Sequence, residues 1–255
     1  MKKVLAMIGL CGIFLLGCGG KSAAPGGAGE PDSGGDGQAI YRGTVAAVDG
    51  NTAFLVGETR GDLISLSLNN LQLTGEDGNS LEVQEVRGGM AVDVVFDGMI
   101  METYPGMLSG PTQLTVKKEN PDVLGMYRQV IADIYGDDES LNGGKLAAFD
   151  LSAVENLTEG QKSALVYLAG NDMGRETIQG TRQQLEEEGY IDGDIWGFSD
   201  GFLIIIEDEK ADTGGNFSFR AEKWKSATGA VSYEDCQAVL RGETYEYRIG
   251  TEAAS

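Results

Sequence analysis

Histidine is absent from the 255-residue sequence, and cysteine occurs in it only three times. Without an imidazole, the chain cannot build a Ser-His-Asp or Cys-His catalytic group, an H-E-x-x-H zinc motif or another histidine metal site. It also lacks the S-x-x-K motif of Ser-Lys enzymes. We therefore predict no catalytic residue, no metal site and no cofactor, and we expect a protein that is not an enzyme.

Positive charge is also scarce. The chain has 19 lysines and arginines against 40 aspartates and glutamates, which gives a formal net charge of −21. Most of this excess lies in residues 119–255. A surface so negative is repelled by nucleic acid and by anionic lipid headgroups, so we expect no nucleic-acid partner.

A long apolar run occurs at the N-terminus, where Val4–Leu16 follows Lys2 and Lys3. Its 13 residues are too few to span a bilayer core as a helix, which needs roughly 20 residues. Basic residues before a short apolar run are typical of a secretory signal. The run ends in Leu15-Leu16-Gly17-Cys18, which resembles the lipobox of bacterial lipoproteins.

In that family a diacylglycerol is attached to the cysteine thiol, and a dedicated peptidase cuts just before the cysteine. The resemblance implies that Cys18 is the lipidation site and the new N-terminus. It also implies that the processing enzymes recognise Leu15, Leu16 and Gly17. The membrane would then be a partner through the diacylglyceryl-cysteine, because two acyl chains suffice for stable anchoring. The expected location is the extracytoplasmic face of the cell membrane.

Residues 18–37 follow this signal, which comprises residues 1–17. They contain eight glycines together with Pro25 and Pro31, and few apolar side chains. This composition is typical of a flexible tether, and its typical reach is about 25 Å at this length. We expect the segment to act only as a spacer.

A single cysteine would remain after processing, because Cys11 leaves with the signal and Cys18 carries the lipid. Cys236 could then form no intrachain disulfide. It lies in a predicted strand beside Glu234 and Asp235, whose charges disfavour a thiolate. We expect it to be a buried, unreactive side chain.

Residues 38–118 show strand patterns and no helical periodicity. Asp49-Gly50-Asn51 between two strand patterns is a strong hairpin signal, and a second hairpin is predicted around Asp97-Gly98. Five or six short strands within about 80 residues suggest a small closed or half-open barrel. The predicted strands are Ile40–Val48, Thr52–Val56, Leu63–Leu68, Met90–Phe96, Met99–Thr103 and Gln113–Lys117.

The later part of this region, Gly89–Gly98 followed by Glu102-Thr103-Tyr104-Pro105, resembles the closing half of a small OB-like barrel. That barrel occurs in uncharacterised lipoproteins of Gram-positive bacteria, the YobA-like proteins. The resemblance covers about residues 39–118. It implies a fold and a location but no activity, because the function of that family is not established.

Helical patterns begin after residue 118. Asn120 is predicted to cap a first helix with Pro121 in its first turn. Two Thr-x-x-Gln capping boxes, at Thr158 and Thr181, predict a second helix and a short third one. The apolar face of the first helix is predicted to consist of Val123, Tyr127, Val130, Ile131 and Ile134.

Strand patterns return near residue 195, beginning with a predicted hairpin of Ile195–Phe198 and Phe202–Glu207. The predicted fold class is therefore a two-domain α+β protein. A small all-β OB-like barrel at residues 38–118 would precede an α+β domain at residues 119–255, in which helices pack on a mainly antiparallel sheet.

Gly197-Phe198-Ser199-Asp200-Gly201 matches the G-x-S-x-G nucleophile elbow. The elbow needs a strand-to-helix turn and a histidine partner. Here the segment joins two predicted strands in a chain without histidine. Ser199 is therefore interpreted as a turn residue.

Carboxylates offer two further hypotheses. Acidic loops at residues 137–139, 192–194 and 208–209 could supply oxygens to Ca²⁺, but none has the EF-hand spacing, and solvated loops are the simpler interpretation. Two carboxylates could also hydrolyse a glycoside without histidine. Asp150, at the end of a predicted strand, is the carboxylate to examine first for a raised pKa, with a loop cap as the alternative.

Arg220, Lys223, Trp224 and Lys225 form a local basic and aromatic cluster in the most acidic part of the chain. They are a possible binding cluster for an anionic sugar, a phosphate or the carboxylates of a partner. The alternative is local charge balance around a packed tryptophan.

The sequence predicts a membrane-anchored, extracytoplasmic binding or accessory module of the cell envelope, whose partner is an envelope protein or a wall polymer. The alternative is a carboxylate-dependent enzyme acting on cell-wall glycan or peptide. A groove with two convergent carboxylates, one with a raised pKa, would favour the enzyme. An exposed apolar or aromatic patch would favour the module.

Overall fold

The computed structural model describes residues 33–34, 38–193 and 197–255. They belong to one compact unit that contains two seven-stranded sheets. The predicted signal and tether, including Leu15, Leu16, Gly17 and Cys18, lie outside the described residues, apart from Ser33 and Gly34.

The N-terminal sheet is formed by strands that lie before residue 119. The strands are β1 Ser33–Gly34, β2 Gln38–Asp49, β3 Thr52–Gly57, β4 Leu63–Ser67, β5 Gln72–Thr74, β6 Ala91–Phe96, β7 Ile100–Met101, β8 Met107–Leu108 and β9 Gln113–Lys118. The sheet order is β4-β3-β2-β6-β9-β5, with β1 paired to β2, while β7 and β8 form a separate two-stranded ribbon. A 3₁₀ turn, Val83–Glu85, lies between β5 and β6.

The predicted β2–β3 hairpin is confirmed, with Asp49 paired to Thr52. Gly50 has a φ of +59°, a conformation that glycine adopts without steric cost. Alternate residues of these strands point inward, and Val45, Leu55 and Val94 are almost completely buried in a core within this sheet.

The second predicted hairpin is wrong in its pairing. The segment after Asp97 does not return along β6, whose neighbours are β2 and β9. Instead β7 pairs with β8, and the ribbon lies against β4, where the Ser65 amide donates to the carbonyl of Gly106 at 2.8 Å. Asp97 causes the change of direction, because its carboxylate accepts hydrogen bonds from the Met99 amide at 3.0 Å and the Ser109 hydroxyl at 2.7 Å.

The C-terminal sheet, three α-helices and a 3₁₀ turn, Glu139–Asn142, make up the rest of the described residues, which places the protein in the α+β class. The elements are α1 Val123–Gly136, β10 Leu146–Asp150, α2 Glu159–Met173, β11 Glu176–Gln179, α3 Arg182–Glu187, β12 Gly201–Asp208, β13 Phe217–Ser226, β14 Gly229–Arg241, β15 Thr244–Arg248 and β16 Thr251–Ala254. The sheet order is β11-β10-β12-β13-β14-β15, with β16 also on β14. The pairs β10–β11 and β10–β12 are parallel and the other pairs of this sheet are antiparallel, so the sheet is mainly antiparallel as predicted.

Both predicted capping boxes are confirmed, at Thr158 for α2 and at Thr181 for α3. The predicted cap of α1 is wrong by two residues. Asp122 is the N-cap and accepts from the Gly125 amide at 2.8 Å, whereas the Asn120 side chain donates to the carbonyl of Gly89. Asn120 is therefore engaged by the N-terminal sheet, and the helix starts later.

The predicted hairpin of residues 195–198 with β12 is also wrong. β12 lies between β10 and β13, and the Phe198 amide donates to the carbonyl of Lys225 at 2.8 Å. Gly197 forms bridges with Asp192 and Ser226. Ile195, the first residue of that prediction, lies outside the described residues.

Helices α1 and α2 share one hydrophobic core with both sheets. Val56 and Leu63 contribute from the N-terminal sheet, and residues such as Phe149 contribute from the C-terminal sheet. The approach is close, since a Cβ on Gly160 of α2 would lie 2.6 Å from the Cα of Gly61. On the other face of the C-terminal sheet, α3 covers a smaller core that includes Trp224.

Candidate functional site

The predicted binding cluster on β13 is divided between two faces of its sheet. Because strand residues alternate, Arg220 and Trp224 lie on one face, and Lys223 and Lys225 on the other. Lys223 and Trp224 are buried, which leaves only Arg220 and Lys225 partly exposed. The guanidinium of Arg182 lies 4.2 Å from the centre of the Trp224 ring. The structure therefore does not bring the four side chains into one surface, and their binding role stays a prediction.

Lys223 has a structural environment. It is 0% exposed, and its ammonium donates to the carbonyls of Tyr135, Asp137 and Asp138 and to the side chain of Asn142. These acceptors lie at the end of α1 and just beyond it, where helix carbonyls lack intrahelical partners. Burial lowers the pKa of Lys223, although nearby acidic residues oppose that effect.

The charges of Arg220 and Lys225 are also engaged. Arg220 pairs with Glu222 at 2.9 Å and with Glu207 at 3.3 Å. The ammonium of Lys225 donates to the carbonyls of Gly143 and Gly201 at 2.8 and 3.0 Å. Both side chains therefore have partners within the chain.

The other sequence candidates also have local roles. Ser199 lies exposed in the turn before β12, and a strand rather than a helix follows, which confirms its interpretation as a turn residue. Asp150 accepts from both the amide and the hydroxyl of Ser152, at 3.1 and 2.6 Å, and is therefore a loop cap. It lines a cavity of about 380 Å³ beside α2.

Two of the acidic loops contact the core. Asp137 accepts a hydrogen bond from the Tyr233 hydroxyl, and Asp208 accepts one from the Tyr127 hydroxyl and another from the Glu155 amide. Within the described part of the chain, no three cysteine, aspartate or glutamate side chains converge as metal ligands would. Asp194, in the remaining acidic loop at residues 192–194, lies outside the described residues.

Cys236 is fully buried, as predicted. Burial raises the pKa of its thiol to about 11, and the charges of Glu234 and Asp235 add to the effect. A thiol with such a pKa is almost entirely protonated at neutral pH and is a poor nucleophile.

A cleft of about 450 Å³ between the N-terminal sheet and α1 contains two carboxylates, Asp122 and Asp172. Burial raises the pKa of Asp122, against the opposing effects of its hydrogen bond from Gly125 and the charges of Arg87 and Arg128. The sequence reasoning missed this residue because its signal is that of an ordinary helix cap.

Both carboxylates of the cleft are in contact with other groups of the chain. A Cβ on either Gly88 or Gly125 would lie 2.2 Å from a carboxylate oxygen of Asp122, so backbone closely surrounds that group. Asp172 accepts two hydrogen bonds from Arg128, at 2.6 and 2.7 Å. Arg128 also donates to Asp49 of β2 at 3.0 and 3.1 Å. The arrangement ties α1, α2 and β2 together.

The β7–β8 ribbon, residues 99–108, differs from this cleft because it exposes apolar side chains to solvent. Four of its large apolar side chains are exposed: Met99 by 64%, Met101 by 41%, Tyr104 by 65% and Met107 by 39%. Glu102 is the single charged residue of the segment. Grouped exposed apolar side chains mark interaction sites, and methionine is common at adaptable binding surfaces.

The ribbon is held firmly on its inner side. Leu108 is buried in the core of the N-terminal sheet, and Ile100 packs against the same core. At its base, hydrogen bonds from Ser109 and Met99 lower the pKa of Asp97, which shows that its carboxylate is stabilised in the charged form. At its tip, the Tyr104 ring lies edge-on to Tyr167 of α2 with ring centres 5.5 Å apart.

The sequence contained a signal for this surface. Residues 99–108 combine three methionines and a tyrosine with one charge in a strongly acidic chain. The strand prediction for Met99–Thr103 implies that alternate side chains are buried, so the sequence analysis misses the exposed surface.

A further groove of about 750 Å³ lies between the 3₁₀ turn and the end of β9. Its lining combines Arg87, Lys117 and Lys118 with acidic residues that include Glu85 and Glu119. Arg87 and Glu119 pair across it at 2.5 Å. The mixture of charges indicates no particular class of ligand.

No protein-family model and no curated protein matches this chain. Among the described residues, no helix is both long enough and apolar enough to cross a bilayer. The geometry of the described residues is therefore the basis for a functional hypothesis, and the ribbon is its strongest candidate site.

Proposed function

We propose that this protein is a lipid-anchored lipoprotein on the extracytoplasmic face of the cell membrane, where it serves as a non-enzymatic binding or accessory module of the envelope. The observation that carries the binding role is the exposed ribbon of residues 99–108. The anchor is Cys18, with Leu15, Leu16 and Gly17 as its processing signal.

The composition of the ribbon supports a contact role. Methionine and tyrosine are enriched in protein interfaces relative to the remaining surface, and charged residues are depleted from interface centres. In this ribbon Met99, Met101 and Met107 are exposed beside Tyr104. Three of the four are unbranched and adaptable, so they can fit an irregular or fluid surface.

The proposal also includes the architecture inferred from sequence. Residues 38–118 would be a small OB-like barrel domain of the YobA-like type, followed by an α+β domain at residues 119–255. OB-folds bind many kinds of ligand, so the likeness identifies none of them here. The envelope partner is a membrane component, a protein or a wall polymer.

Two variants in intact cells test the proposal. Cys18→Ala removes the lipid site, and we expect the protein to leave the membrane fraction. A photo-cross-linking residue at Met101 should capture an envelope molecule, whereas the same residue at Asn51, in the exposed β2–β3 turn, should capture none. Membrane binding of Cys18→Ala equal to that of the wild-type protein would contradict the anchor, and equal capture at both positions would contradict the binding role.

A carboxylate-dependent enzyme acting on wall glycan or peptide is the second candidate, and the raised pKa of Asp122 in its cleft favours it. General acids with raised pKa values drive glycoside hydrolysis. Purified protein should then degrade wall material, and Asp122→Asn should abolish that activity while keeping the helix cap. No degradation by the wild-type protein would eliminate this candidate.

A further inference from the structure

The N-terminal segment joins the fold beside the base of the ribbon. β2 starts at Gln38, and Ala39 pairs with Phe96 at the end of β6. A Cβ on Gly98 would lie 3.6 Å from the Cβ of Ala39, and Met99 is the next residue. The chain that leads back to Cys18 therefore enters the fold next to the most apolar exposed segment of the described chain.

The length of this segment limits how far the ribbon lies from the membrane. Ser33 and Gly34 already pair with β2, so the tether comprises residues 18–32. A chain of their composition and length has a typical end-to-end distance of about 20 Å. A site tethered over so short a span experiences an effective concentration on the order of millimolar, so weak contacts with the membrane become populated.

Charge decides which kind of contact forms. The chain has a net charge of −21, so its body is repelled by anionic headgroups. The ribbon carries only Glu102, and its exposed side chains are methionines and Tyr104. Apolar side chains with an amphipathic tyrosine suit the boundary between headgroups and acyl chains.

We infer that the ribbon of residues 99–108 inserts its methionine and tyrosine side chains into the interface of the lipid bilayer to which Cys18 is anchored. The inference rests on the proposed anchor and names the bilayer as the partner of the ribbon. The contact gives the protein a second attachment point, so that one face of the N-terminal sheet is held towards the membrane. The hydrogen bonds to Asp97 and the buried Leu108 hold the base of the ribbon in place on the N-terminal sheet.

Depth-dependent quenching in vesicles tests the inference with the processed, lipidated protein. A bimane label is placed at Met101→Cys and, in a control protein, at Asn51→Cys. Asn51 follows β2, about 35 Å along the strand from its start at Gln38. Cys236 is fully buried and should not react with the label. The vesicles consist of phosphatidylcholine with a fraction of doxyl-labelled phosphatidylcholine.

We expect both proteins to float with the vesicles, and the label at Met101 to be quenched while the label at Asn51 is not. Flotation without quenching at Met101 would overturn the ribbon contact and leave the lipid anchor intact. A protein cross-linked to Met101 in cells would then identify a protein as the partner. Failure to float would refute the anchor, and the inference would fall with it.

A second measurement isolates the ribbon from the anchor. In a Cys18→Ser background, the triple variant Met99→Ser, Met101→Ser, Met107→Ser should bind phosphatidylcholine vesicles about tenfold more weakly, because interfacial binding scales with buried apolar area. Glu102→Gln should bind at least as well as its parent, because it removes the single charge. Equal binding of parent and triple variant would overturn the inference.

Discussion

The α1–β13 contact and the ribbon reverse the usual distribution of side chains. At the α1–β13 contact, an ammonium, that of Lys223, is fully buried. On the ribbon, the apolar side chains of Met99 and Tyr104 are each more than half exposed. The buried cation is satisfied by carbonyls of its own chain, so its burial serves the fold. The exposed methionines contribute little to folding, which indicates that they serve a contact.

The contacts of Arg128 and Asp122 between the N-terminal sheet and the helices, called the joint below, resemble the α1–β13 contact because their polar groups have partners within the chain. Arg128 binds Asp49 and Asp172 with four hydrogen bonds, and Asp122 is enclosed by glycine backbone. Buried polar groups without partners cost about 1–3 kcal/mol each, so these groups are expected to be sensitive to substitution. The ribbon should be insensitive. Four predictions test that difference.

The largest effect is expected for Lys223→Met, which removes the ammonium but keeps an unbranched side chain. Three backbone carbonyls at the end of α1 and the side chain of Asn142 would lose their donor. We expect the free energy of unfolding to fall by about 3 kcal/mol in urea titrations. The exposed Lys210→Met is the control, with a change within about 0.5 kcal/mol. Equal stability of the two variants would show that the buried charge is dispensable.

The second largest effect is expected in the pH dependence of the free energy of unfolding, which Cys236 influences. Its pKa is about 11 in the folded protein against 9.0 as the reference value, so the folded state retains the proton longer. The contribution is complete below pH 9.0 and is lost as the pH rises to about 11. Relative to Cys236→Ala, the wild-type protein should lose up to about 3 kcal/mol of stability across that range. A stability difference that is constant with pH would contradict the prediction.

A smaller effect is expected for Arg128→Ala, because this side chain is 21% exposed and solvent weakens its ion pairs. Loss of its charge-assisted bonds should lower the free energy of unfolding by about 1.5 kcal/mol. The matched control is Arg241→Ala, whose partner Glu246 is 3.9 Å away and well exposed, with a loss below about 0.5 kcal/mol. If both variants lose the same stability, the joint is no more than a surface ion pair.

The smallest effect on stability is expected on the ribbon. The triple variant Met99→Ser, Met101→Ser, Met107→Ser should change the free energy of unfolding by only about 0.5 kcal/mol, since these side chains are exposed. Met90→Ser is the matched control, because Met90 is 3% exposed and should cost about 3 kcal/mol or more. A large loss in the triple variant would mean that the ribbon methionines support the fold.

The elements that could be predicted from sequence are those whose signals lie within a few residues. The Asp49-Gly50-Asn51 turn and the capping boxes at Thr158 and Thr181 were located correctly for this reason. The α1 cap was misplaced because Asn120 and Asp122 are both good capping residues, and the competing partner of Asn120 is the carbonyl of Gly89. No local pattern contains that information.

The candidate site was harder to predict than the fold. The cluster at residues 220–225 is continuous in sequence, yet strand alternation places its side chains on two faces. The composition of the ribbon is visible in the sequence, but Met99–Thr103 was predicted to pair with the wrong strand, and the sequence signal of Asp122 is only that of an ordinary helix cap. Binding surfaces depend on exposure, which sequence proximity does not reveal.

The sequence by itself determined the turn between β2 and β3, the caps of α2 and α3, the α+β class and the burial of alternate side chains such as Phe217 and Phe219 on β13. Tertiary structure alone decided that β7 pairs with β8, that Lys223 is buried and that the ribbon methionines are exposed. The physical reason is the separation along the chain between the residues that interact. Turns and caps arise from neighbouring residues, whereas strand partners and burial are set by residues far apart in the chain that meet only when it has folded.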